Sequence, residues 1–581
     1  MDNLSPLSRA LTLSILLLAA CGGGGGDQSS APATPPETLQ DNRALYANPG
    51  TEVVEMYVTI WPDDNPESEE DDDCDFIDPN DGIGTTLDDV NQDVEDSDKC
   101  KPELNVHLQV AGIPDTGGVA NAELRLRGHS TRYAEQKSYR VKLKSKVADD
   151  LWRGQRVFNL NKHSYDLTRL RNKLCFDLLS RIPDMTSLRT QFVRLFVDQR
   201  DGNGFVDFGL FTHVEKVDGY FLEAHGLDPD ASVYKAEFFE FDRHEESLKL
   251  ESDPTFDEDA FERILEIEEG DDHTALLAML DAVNDEGNDF EQVLATYFNR
   301  DNYLTWLACN ILFDNLDTNS QNFFLYRRSE SNRFYFLAWD YDGAFDFYGQ
   351  PDQAARRDIA RWQRGISNWW SVSLHRRFLK QSGAVAELTA KMREIRDTYA
   401  TESRVRTLIE SYTPTVRPRV ALSPDLNFLP ALDDASPATM LAEFDAEAAR
   451  LPALVAGNYD KFIAALERPM PVYMSDTVDG ADIEFRWDPS YDLQGDGLTY
   501  DFQLSTTPDF EPGDIVSEGL GLVGTVTHRV PVASLAAGTY YYRVIIRDTK
   551  NPTENWQIAF DDHYDEGLDT SYFGVRQLII E

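Results

Sequence analysis

The chain has 581 residues, and 54 Lys and Arg against 103 Asp and Glu give it a formal net charge of −49. Its hydrophobic content of 41% excludes a chain that is disordered throughout, and its length leaves room for more than one domain. Because a field of this sign repels phosphate, we exclude non-specific binding to DNA or RNA and expect no nucleic-acid partner. Five cysteines exclude a disulfide-rich scaffold, and they form no CxxC or Cys/His pattern that predicts a zinc site.

The first 21 residues carry the features of an export signal. The largely apolar run from Ala10 to Ala20 is too short to span a membrane as a helix, and it ends in Leu18-Ala19-Ala20-Cys21. Small residues before a cleavage point are typical of signal peptides, and a cysteine in this place resembles the bacterial lipobox, where the thiol is acylated. We therefore predict lipidation of Cys21 and a protein of the bacterial cell envelope, periplasmic or surface-exposed, that contacts the membrane only through this lipid. An ordinary signal peptide with an incidental cysteine is the alternative.

Two polar segments are recognisable in the N-terminal part of the chain. Residues 22–44 are rich in Gly, Ser and Pro and predict a flexible linker. An acidic insertion near residues 63–100 has Cys74 and Cys100 near its ends, and in an exported protein these two cysteines can form a disulfide. Within it, Asp78-Pro79-Asn80-Asp81-Gly82 has the oxygen ligands of a calcium loop but not the remaining ligand spacing. A solvated acidic insertion is the main prediction, and Ca²⁺ binding is the minor alternative.

Residues 45–468 form the predicted main domain, in which strand patterns come first and helix patterns later. Alternating apolar residues predict strands at Thr51–Trp61, Leu104–Val110, Ala122–Arg127, Ser138–Lys144, Phe192–Val197 and Phe208–Val214. Apolar residues at helical spacing predict helices at Leu167–Ile182, Phe290–Phe313, Ala384–Glu410 and Pro437–Leu466. This order of elements is typical of an α+β fold.

Other reactive side chains do not predict a site. Cys175 and Cys309 lie within apolar helical patterns and are predicted to be buried thiols. The ten histidines show no metal-ligand spacing, so His129, His163 and His213 are predicted to be core or surface residues.

The sequence changes near Met470 to short alternating strands separated by turns. Ile483–Trp487 and Leu498–Leu504 predict two early strands, and Tyr540 follows a corner that reads Leu-Ala-Ala-Gly. A tryptophan on an early strand and a tyrosine after such a corner resemble fibronectin type III domains, in which the tyrosine hydroxyl caps the corner. The resemblance implies that residues 470–581 form a small all-β sandwich that serves spacing or attachment and is dispensable for chemistry.

The segment that points to chemistry runs from Asn310 to Asp346. Asp317 follows a helical run, and Asn322 comes five positions later at the start of a strand. A turn leads into a second strand, and Trp339-Asp340-Tyr341-Asp342 continues it, which predicts two carboxylates on one face at period two.

This arrangement is the one that phosphoryl transfer requires. Asp317 would orient the attacking hydroxyl and accept its proton, while Asn322 and Asp340 would hold the metal that neutralises the phosphates. The structural alternative is that Asp317 and Asn322 are turn residues, with Asp340 and Asp342 on an exposed strand. Because these motifs occur together beside an aromatic strand, we predict a metal-assisted site.

Five sequence blocks occur in one order along the chain. They are Leu126 to Thr131 with Lys137 to Leu143, Asn159 to Asn161 with Leu170 to Leu174, Gly209 to Asp218, Asn315 to Asn322, and Trp339 to Asp342. Together they resemble the CotH kinase family, atypical secreted or spore-coat kinases with a divergent kinase fold. The resemblance spans about residues 50–350. It implies a divergent protein-kinase-like domain that binds ATP with Mg²⁺ or Mn²⁺.

The resemblance also implies roles for individual residues. Asp317 is the implied catalytic base and Asp340 the implied metal ligand. Asn322 is implied to assist both catalysis and metal binding, and Asp342 is implied to add a second carboxylate to the metal site. Lys142 is implied to meet the nucleotide phosphates as a point charge, with Lys137 as the competing candidate.

Three more residues lie in the matching blocks. Arg127 and Ser130 fall in the block that is implied to cover the phosphates, and Glu215 falls in the segment that resembles the hinge. Two departures stand out: His129 replaces the usual Asn, and Asp346 stands where the family often has Gly and could add a carboxylate to the metal loop. The chain contains neither a GxGxxG loop nor a Walker A motif.

We therefore predict an exported, lipid-anchored atypical kinase that transfers the γ-phosphate of ATP to Ser or Thr hydroxyls of extracytoplasmic proteins. The resemblance implies basic, Ser-rich protein substrates, which a net charge of −49 would attract. The alternative is a non-catalytic cell-surface binding or adhesion protein on a kinase-like scaffold. The joint presence of Asp317, Asp340 and Lys142 favours catalysis, because a pure scaffold requires none of them.

Overall fold

A computed structural model describes residues 38–39, 41–61, 74–75, 77, 84–95, 100–430 and 436–581. Cys21 and most of the predicted linker lie outside the described residues, as does the candidate calcium loop at residues 78–82. Lipidation, the signal peptide and Ca²⁺ binding therefore stay predictions.

The N-terminal part of the main domain is a seven-stranded sheet that closes on itself. Its strands are β1 (Val53–Ile60), β2 (Glu103–Gln109), β3 (Ala122–Arg127), β4 (Ser138–Leu143), β5 (Val157–Asn161), β6 (Thr190–Asp198) and β7 (Val206–Glu215). They follow the order β1-β2-β3-β4-β5-β7-β6, and β6 returns to pair in parallel with β1, whereas the other pairs are antiparallel. Alternate side chains of β3 and β4, such as Leu124 and Val141, join one buried core. This alternation predicts both strands, whereas β5 is buried along its whole length and has no alternation to predict it.

The rest of the main domain combines a four-stranded sheet with helices. The strands β8 (Ser232–Ala236), β9 (Leu265–Glu269), β10 (Phe323–Arg327) and β11 (Phe334–Ala338) pair antiparallel in the order β11-β10-β8-β9. The helices are α1 (Leu87–Gln92), α2 (Arg171–Leu179), α3 (Gly219–His225), α4 (Glu258–Glu262), α5 (Thr274–Asn284), α6 (Phe290–Tyr297), α7 (Arg300–Phe313), α8 (Pro351–Arg356), α9 (Ser373–Leu379), α10 (Ala384–Glu394), α11 (Glu402–Val420), α12 (Pro437–Arg450) and α13 (Leu454–Leu466). The largest hydrophobic core joins this sheet to α2, α7 and the later helices. The main domain is thus a mixed structure of helices and strands, as predicted.

Three long helical patterns are interrupted in the structure. The predicted helix at Phe290–Phe313 is two helices, because the Asn299 side chain caps the start of α7. The pattern that begins at Ala384 breaks in the same way at Thr401, the cap of α11. The last pattern breaks at a short 3-10 turn that contains Pro452. Local caps and a proline therefore end helices that apolar spacing alone would continue.

The region after residue 470 is all-β, in agreement with its prediction. Its strands are β12 (Met474–Asp479), β13 (Asp482–Trp487), β14 (Leu498–Ser505), β15 (Ile515–Leu522), β16 (Thr527–Pro531), β17 (Gly538–Asp548), β18 (Trp556–Ile558), β19 (Asp562–Asp565), β20 (Thr570–Phe573) and β21 (Val575–Ile580). They form a three-stranded sheet β12-β13-β16, a five-stranded sheet β15-β14-β17-β18 with β21 on β17, and the pair β19-β20. Trp487 and Phe502 share the core between the sheets. The Tyr540 hydroxyl donates to Ala536 O over 3.0 Å, which is the corner contact that the sequence predicts.

The four cysteines among the described residues form one disulfide and two free thiols. Cys74 and Cys100 form a disulfide with their Cα atoms 4.9 Å apart, while Cys175 and Cys309 are buried free thiols. Among the described helices, none combines the length and the apolar character that crossing a membrane requires.

Candidate active site

The first part of the candidate site is the loop that follows α7. The helix ends at Asp314, whose left-handed conformation (φ 53°) turns the chain. Asp317 is exposed on this loop, and Asn322, also left-handed (φ 61°), closes it. The Asn322 side chain donates to Asp317 O over 3.3 Å, and its backbone N–H donates to Ala236 O of β8 over 3.1 Å. Asn322 therefore fixes the loop that carries Asp317.

The second part is the turn that follows β11. The prediction of a strand through Asp340 and Asp342 is wrong, because β11 ends before them and Asp340 is left-handed (φ 49°). The chain turns there to place Tyr341, which is fully buried against Phe176 and Phe313. The two carboxylates nevertheless lie close together, since each shifts the pKa of the other.

The electrostatics of this pair are unbalanced. Burial and the neighbouring Asp342 raise the pKa of Asp340 to about 8. Burial also opposes the ionised form of Asp342, but contacts with His163 and Arg127 outweigh it and lower the pKa of that carboxyl. Each carboxylate therefore opposes the ionisation of its neighbour or depends on nearby cations, and a bound divalent cation would relieve the repulsion between the two.

Asp317 lies close enough to the pair to interact with its charge. Partial burial of its carboxyl and the charge of Asp342 raise the pKa of Asp317, while Arg357 opposes this. Asp317 in turn contributes to the raised pKa of Asp340. The Arg357 guanidinium lies 5.0 Å from the ring centre of Tyr348, which forms the next wall of the site. The structure thus brings the predicted catalytic base and two of the three predicted metal ligands, Asp340 and Asp342, into one cluster, while the Asn322 side chain contacts the backbone of the Asp317 loop.

Arg127, at the end of β3, reaches this cluster from the closed sheet. Its Nη1 donates to Asn161 Oδ1 at the end of β5, and its guanidinium lies 5.8 Å from the ring centre of Trp339. Its charge favours the ionised forms of Asp340 and Asp342. Two strands of the closed sheet therefore hold a guanidinium beside the carboxylates, where it can meet a phosphate group.

Two side chains that the sequence does not assign to a site lie in the cluster. His163 is buried and left-handed (φ 51°), and its Nδ1 lies 3.5 Å from Asp342 Oδ2. Asn315 donates to Asp340 O over 3.3 Å and so joins the two loops. The sequence block that begins at Asn315 could have indicated that this asparagine belongs to the site. The sequence carries no signal for His163, because its partner lies far along the chain.

Asp346 does not join the metal loop. It is left-handed (φ 51°), which explains why a glycine suits this position in the family that the chain resembles. Its two carboxylate oxygens form ion pairs with Arg364 and with Arg450 of α12. The carboxylate is therefore directed toward these two cations and adds no ligand beside Asp340.

Lys142 lies on the outer face of the closed sheet, because its neighbours Val141 and Leu143 fill the interior. Its Nζ is 2.9 Å from Glu123 Oε2, and it lines a cavity of about 280 Å³ among other charged residues. None of the three aspartates lines this cavity. The structure does not bring Lys142 together with Asp340, and its role toward a nucleotide stays a prediction.

Lys137 and Ser130 lie on the connection between β3 and β4. Lys137 Nζ donates to Arg132 O, and burial lowers the pKa of this lysine. Ser130 is exposed at the start of a 3-10 turn, and its carbonyl accepts a hydrogen bond from Tyr165 Oη over 3.5 Å. Their roles toward a nucleotide also stay predictions.

Glu215, predicted to bind the nucleotide from the hinge, is fully buried at the end of β7. Its carboxylate accepts hydrogen bonds from Arg189 N and Arg189 Nε, both over 2.9 Å, and lies 3.2 Å from His225 Nε2. Burial opposes ionisation, but these partners outweigh it and lower the pKa of Glu215 to about 2. Because both oxygens are engaged, this carboxylate is not available to a nucleotide.

The oxygen atoms around Asp340 fit a hard divalent cation. Asp340 and Asp342 supply carboxylates, and Asn315 Oδ1 is buried with no hydrogen-bond partner among the described residues. Mg²⁺ and Mn²⁺ take such donors, and Mg²⁺ commonly uses one or two carboxylates together with substrate phosphates. Over the part of the chain that the structure describes, no three His, Cys, Asp or Glu side chains form a ready-made metal site. Phosphates or water would therefore complete the coordination.

Comparisons with known proteins identify the family of the chain. The inner spore coat protein H of Bacillus subtilis (strain 168) is 26% identical over 283 residues, which are 47% of this chain and 69% of that protein. The crystal structure of the Helicobacter pylori proinflammatory kinase CtkA covers 56% of this chain and 95% of its own, at 7% identity and a TM-score of 0.24, too low to support an argument about fold. A family model described as CotH kinase protein matches residues 124–446, more than half of the chain. The chain therefore belongs to the CotH kinase family.

Proposed function

We propose that the chain is an exported, lipid-anchored atypical protein kinase that transfers the γ-phosphate of ATP to Ser or Thr hydroxyls of extracytoplasmic proteins. The observation that carries the proposal is the meeting of Asp317, Asp340 and Asp342 in one cluster of a CotH-family chain. Phosphoryl transfer depends almost entirely on positioning and on charge neutralisation, and this cluster supplies groups for both.

The side chains divide the work between the two loops. Asp340 and Asp342 would hold Mg²⁺ or Mn²⁺, which when bound neutralises the charge of the phosphates. An amide oxygen would join them, from Asn322 as the sequence predicts or from Asn315 Oδ1, which has no hydrogen-bond partner in the part of the chain that the structure describes. Asp317 would orient the acceptor hydroxyl and take its proton, and a raised pKa suits that task because it makes the carboxylate a better base. Arg127 would contact the phosphate oxygens.

Export and anchoring are part of the proposal. The Leu-Ala-Ala-Cys ending at Cys21 supports lipidation, and the disulfide between Cys74 and Cys100 suits an oxidising compartment. The corner contact of Tyr540 supports a fibronectin type III-like sandwich in the C-terminal region. Mass spectrometry of the native protein tests the anchor: we expect an acylated N-terminus at Cys21, and an unmodified N-terminus upstream of it would contradict this part.

A non-catalytic binding or adhesion protein is the second candidate. The observation that favours it is the pairing of Lys142 with Glu123, which leaves the implied phosphate-binding lysine away from the aspartates. This candidate predicts that nucleotide neither binds in a metal-dependent way nor reacts.

Incubation of the purified chain with γ-labelled ATP, Mg²⁺ or Mn²⁺ and a basic, Ser-rich acceptor protein tests the proposal. We expect transfer by the parent, and a loss of about 10²–10⁴-fold in Asp317→Asn because the hydroxyl loses its base. Glu330→Gln is the matched control, since Glu330 is exposed at the far turn of the β10–β11 hairpin. Transfer by Asp317→Asn at the parent's rate would overturn the proposal and favour the binding protein.

A further inference from the structure

One stretch of chain, residues 361–370, lies between the loop of Asp317 and the C-terminal β region, and we call it the bridging segment. It follows α8 and leads directly into α9. The described residues from Thr38 to Glu581 form one compact unit, which contains both sides of this segment.

On one side, the bridging segment binds the backbone of the candidate catalytic loop. Asn368 is only 4% exposed, and its side chain donates to Leu316 O over 3.1 Å. The Asn368 carbonyl accepts a hydrogen bond from Asn319 Nδ2 over 3.2 Å. Leu316 directly precedes Asp317, so Asn368 contacts the loop on both sides of the proposed base.

Arg364 adds a second connection to the same site. It forms an ion pair with Asp346 in the turn after β11, and its Nε lies 3.7 Å from Asp314 Oδ2 at the end of α7. The bridging segment thus also contacts the end of α7 and Asp346, which lies beyond the turn that carries Asp340 and adds no ligand there.

On its other side, the bridging segment binds the C-terminal β region through Arg361. Arg361 Nε donates to Trp556 O and Nη2 donates to Glu554 O, each over 2.9 Å. The guanidinium also lies 4.1 Å from the ring centre of Trp556. Arg361 is half-buried, and burial together with the charge of Arg468 lowers its pKa to about 10.

Apolar contacts continue this interface. Trp362 meets Phe560 edge to face at 5.1 Å between ring centres, and Trp370 stacks on Tyr491 at 5.4 Å. Phe560 belongs to the core of the main domain, although it lies in the C-terminal region. A detachable spacer would keep its aromatic residues in its own core, whereas this region shares them with the kinase domain.

We propose that the C-terminal β region is a positioning element of the candidate active site, which acts on the Asp317 loop through Arg361 and Asn368. The inference rests on the proposed function and replaces the expectation that this region is dispensable for chemistry. Loss of the Arg361 contacts would release the bridging segment and loosen the loop that presents Asp317. The metal ligands lie on a different turn, so nucleotide binding would be kept while transfer slows.

Full-length variants test the inference. We expect Arg361→Ala and Asn368→Ala each to lower kcat by about 10-fold or more, with the Kd for metal–ATP unchanged within about twofold, because a misplaced base costs rate rather than nucleotide affinity. Arg576→Ala is the matched control: this arginine also binds a carbonyl and a carboxylate, Met474 O and Asp561, but both partners lie within the C-terminal region.

A second measurement separates positioning from a general loss of stability. If Arg361 acts through Asp317, Arg361→Ala should cost nothing further in an Asp317→Asn background, whereas an unrelated structural defect would add its full cost. Hydrogen exchange of the amides in residues 314–322 should become at least about fivefold faster in Arg361→Ala and stay unchanged in Arg576→Ala. Unchanged exchange or additive kinetic effects would overturn the inference even if the chain is a kinase. If exchange becomes faster in Arg361→Ala but the parent transfers no phosphate, the proposed function is overturned instead.

Discussion

Two groups of carboxylates in this chain have opposite surroundings. Glu215 is surrounded by Arg189 and His225, and its pKa falls to about 2. Asp340 instead lies against Asp342, and its pKa rises to about 8. A carboxylate that only stabilises the fold is paired with cationic side chains. A carboxylate in a site for a metal ion has fewer such partners, because the ion itself supplies the positive charge. The comparison therefore separates a structural acidic residue from a candidate functional one where the sequence treats both alike.

Glu215→Gln should have the largest effect on stability. The substitution leaves the half-buried Arg189 without its counter-charge and the buried His225 with Asp41 alone, so the free energy of unfolding should fall by about 3–5 kcal/mol. Urea unfolding measures this value. Asp445→Asn serves as the control, because Asp445 pairs with Arg417 at the surface and should cost less than about 1 kcal/mol. If Glu215→Gln lowers the free energy of unfolding by less than about 1 kcal/mol, Glu215 is not the stabilising carboxylate that the comparison requires.

The same network should give a characteristic pH dependence. The folded pKa of Glu215 lies below its ordinary value of 4.5, so its stabilisation is present above pH 4.5 and is lost as the pH falls toward 2. This shift corresponds to about 3 kcal/mol.

The pKa shift of His225 has the opposite direction to that of Glu215. Hydrogen bonds and charges from Glu215 and Asp41 outweigh burial and raise its pKa above 6.5, so its stabilisation is present below pH 6.5 and is lost as the pH rises through the folded pKa. The network therefore contributes most between pH 4.5 and 6.5. We expect Glu215→Gln to flatten both slopes of the unfolding free energy against pH, and parallel curves for parent and variant would contradict this.

His163 provides a test at the second group of carboxylates, Asp340 and Asp342. Its ring lies against Asp342, so we expect it to orient that carboxylate toward the metal. His163→Ala should weaken Mn²⁺ binding by about 10–100-fold, and His163→Asn should recover part of the affinity because its amide can donate near the position of Nδ1. Calorimetry with Mn²⁺ measures both. Equal Mn²⁺ affinities in the parent and His163→Ala would show that the histidine takes no part in metal binding.

Asp340→Asn should give the smallest change in stability. Without metal it removes a repulsion, so the free energy of unfolding should stay the same or rise by about 1 kcal/mol. Melting curves with and without Mn²⁺ check this, since the parent should be stabilised by the ion and the variant should not. A destabilisation as large as that of Glu215→Gln would mean that Asp340 is a structural residue.

Local patterns in the sequence predict much of the fold. Alternation predicts β3 at its observed bounds, and the spacing of Asp317 and Asn322 predicts the loop after α7. The helix breaks at Asn299 and Thr401 are missed because a capping side chain is a weaker signal than a continuous apolar pattern.

Long-range contacts decide the rest, and the sequence alone does not show them. The Arg450–Asp346 ion pair, the His163–Asp342 contact and the burial of Glu215 all join elements that are far apart along the chain. The side of the closed sheet that Lys142 faces depends on which of its neighbours fill the interior. The candidate site is therefore predictable where its residues share one motif, as for Asp340 and Asp342, and not where a second strand or helix supplies the partner.

Nucleotide binding and phosphate transfer, measured separately on full-length Asp317→Asn and Asp340→Asn, test the central claim most directly. We predict that Asp317→Asn binds metal–ATP as the parent does but transfers about 10²–10⁴-fold more slowly, because only the acceptor hydroxyl meets that side chain. Asp340→Asn should lose metal-dependent ATP binding, since the phosphates would face Asp342 without their bridging cation. If both variants bind ATP and transfer phosphate as the parent does, the aspartate cluster is not a phosphoryl-transfer site.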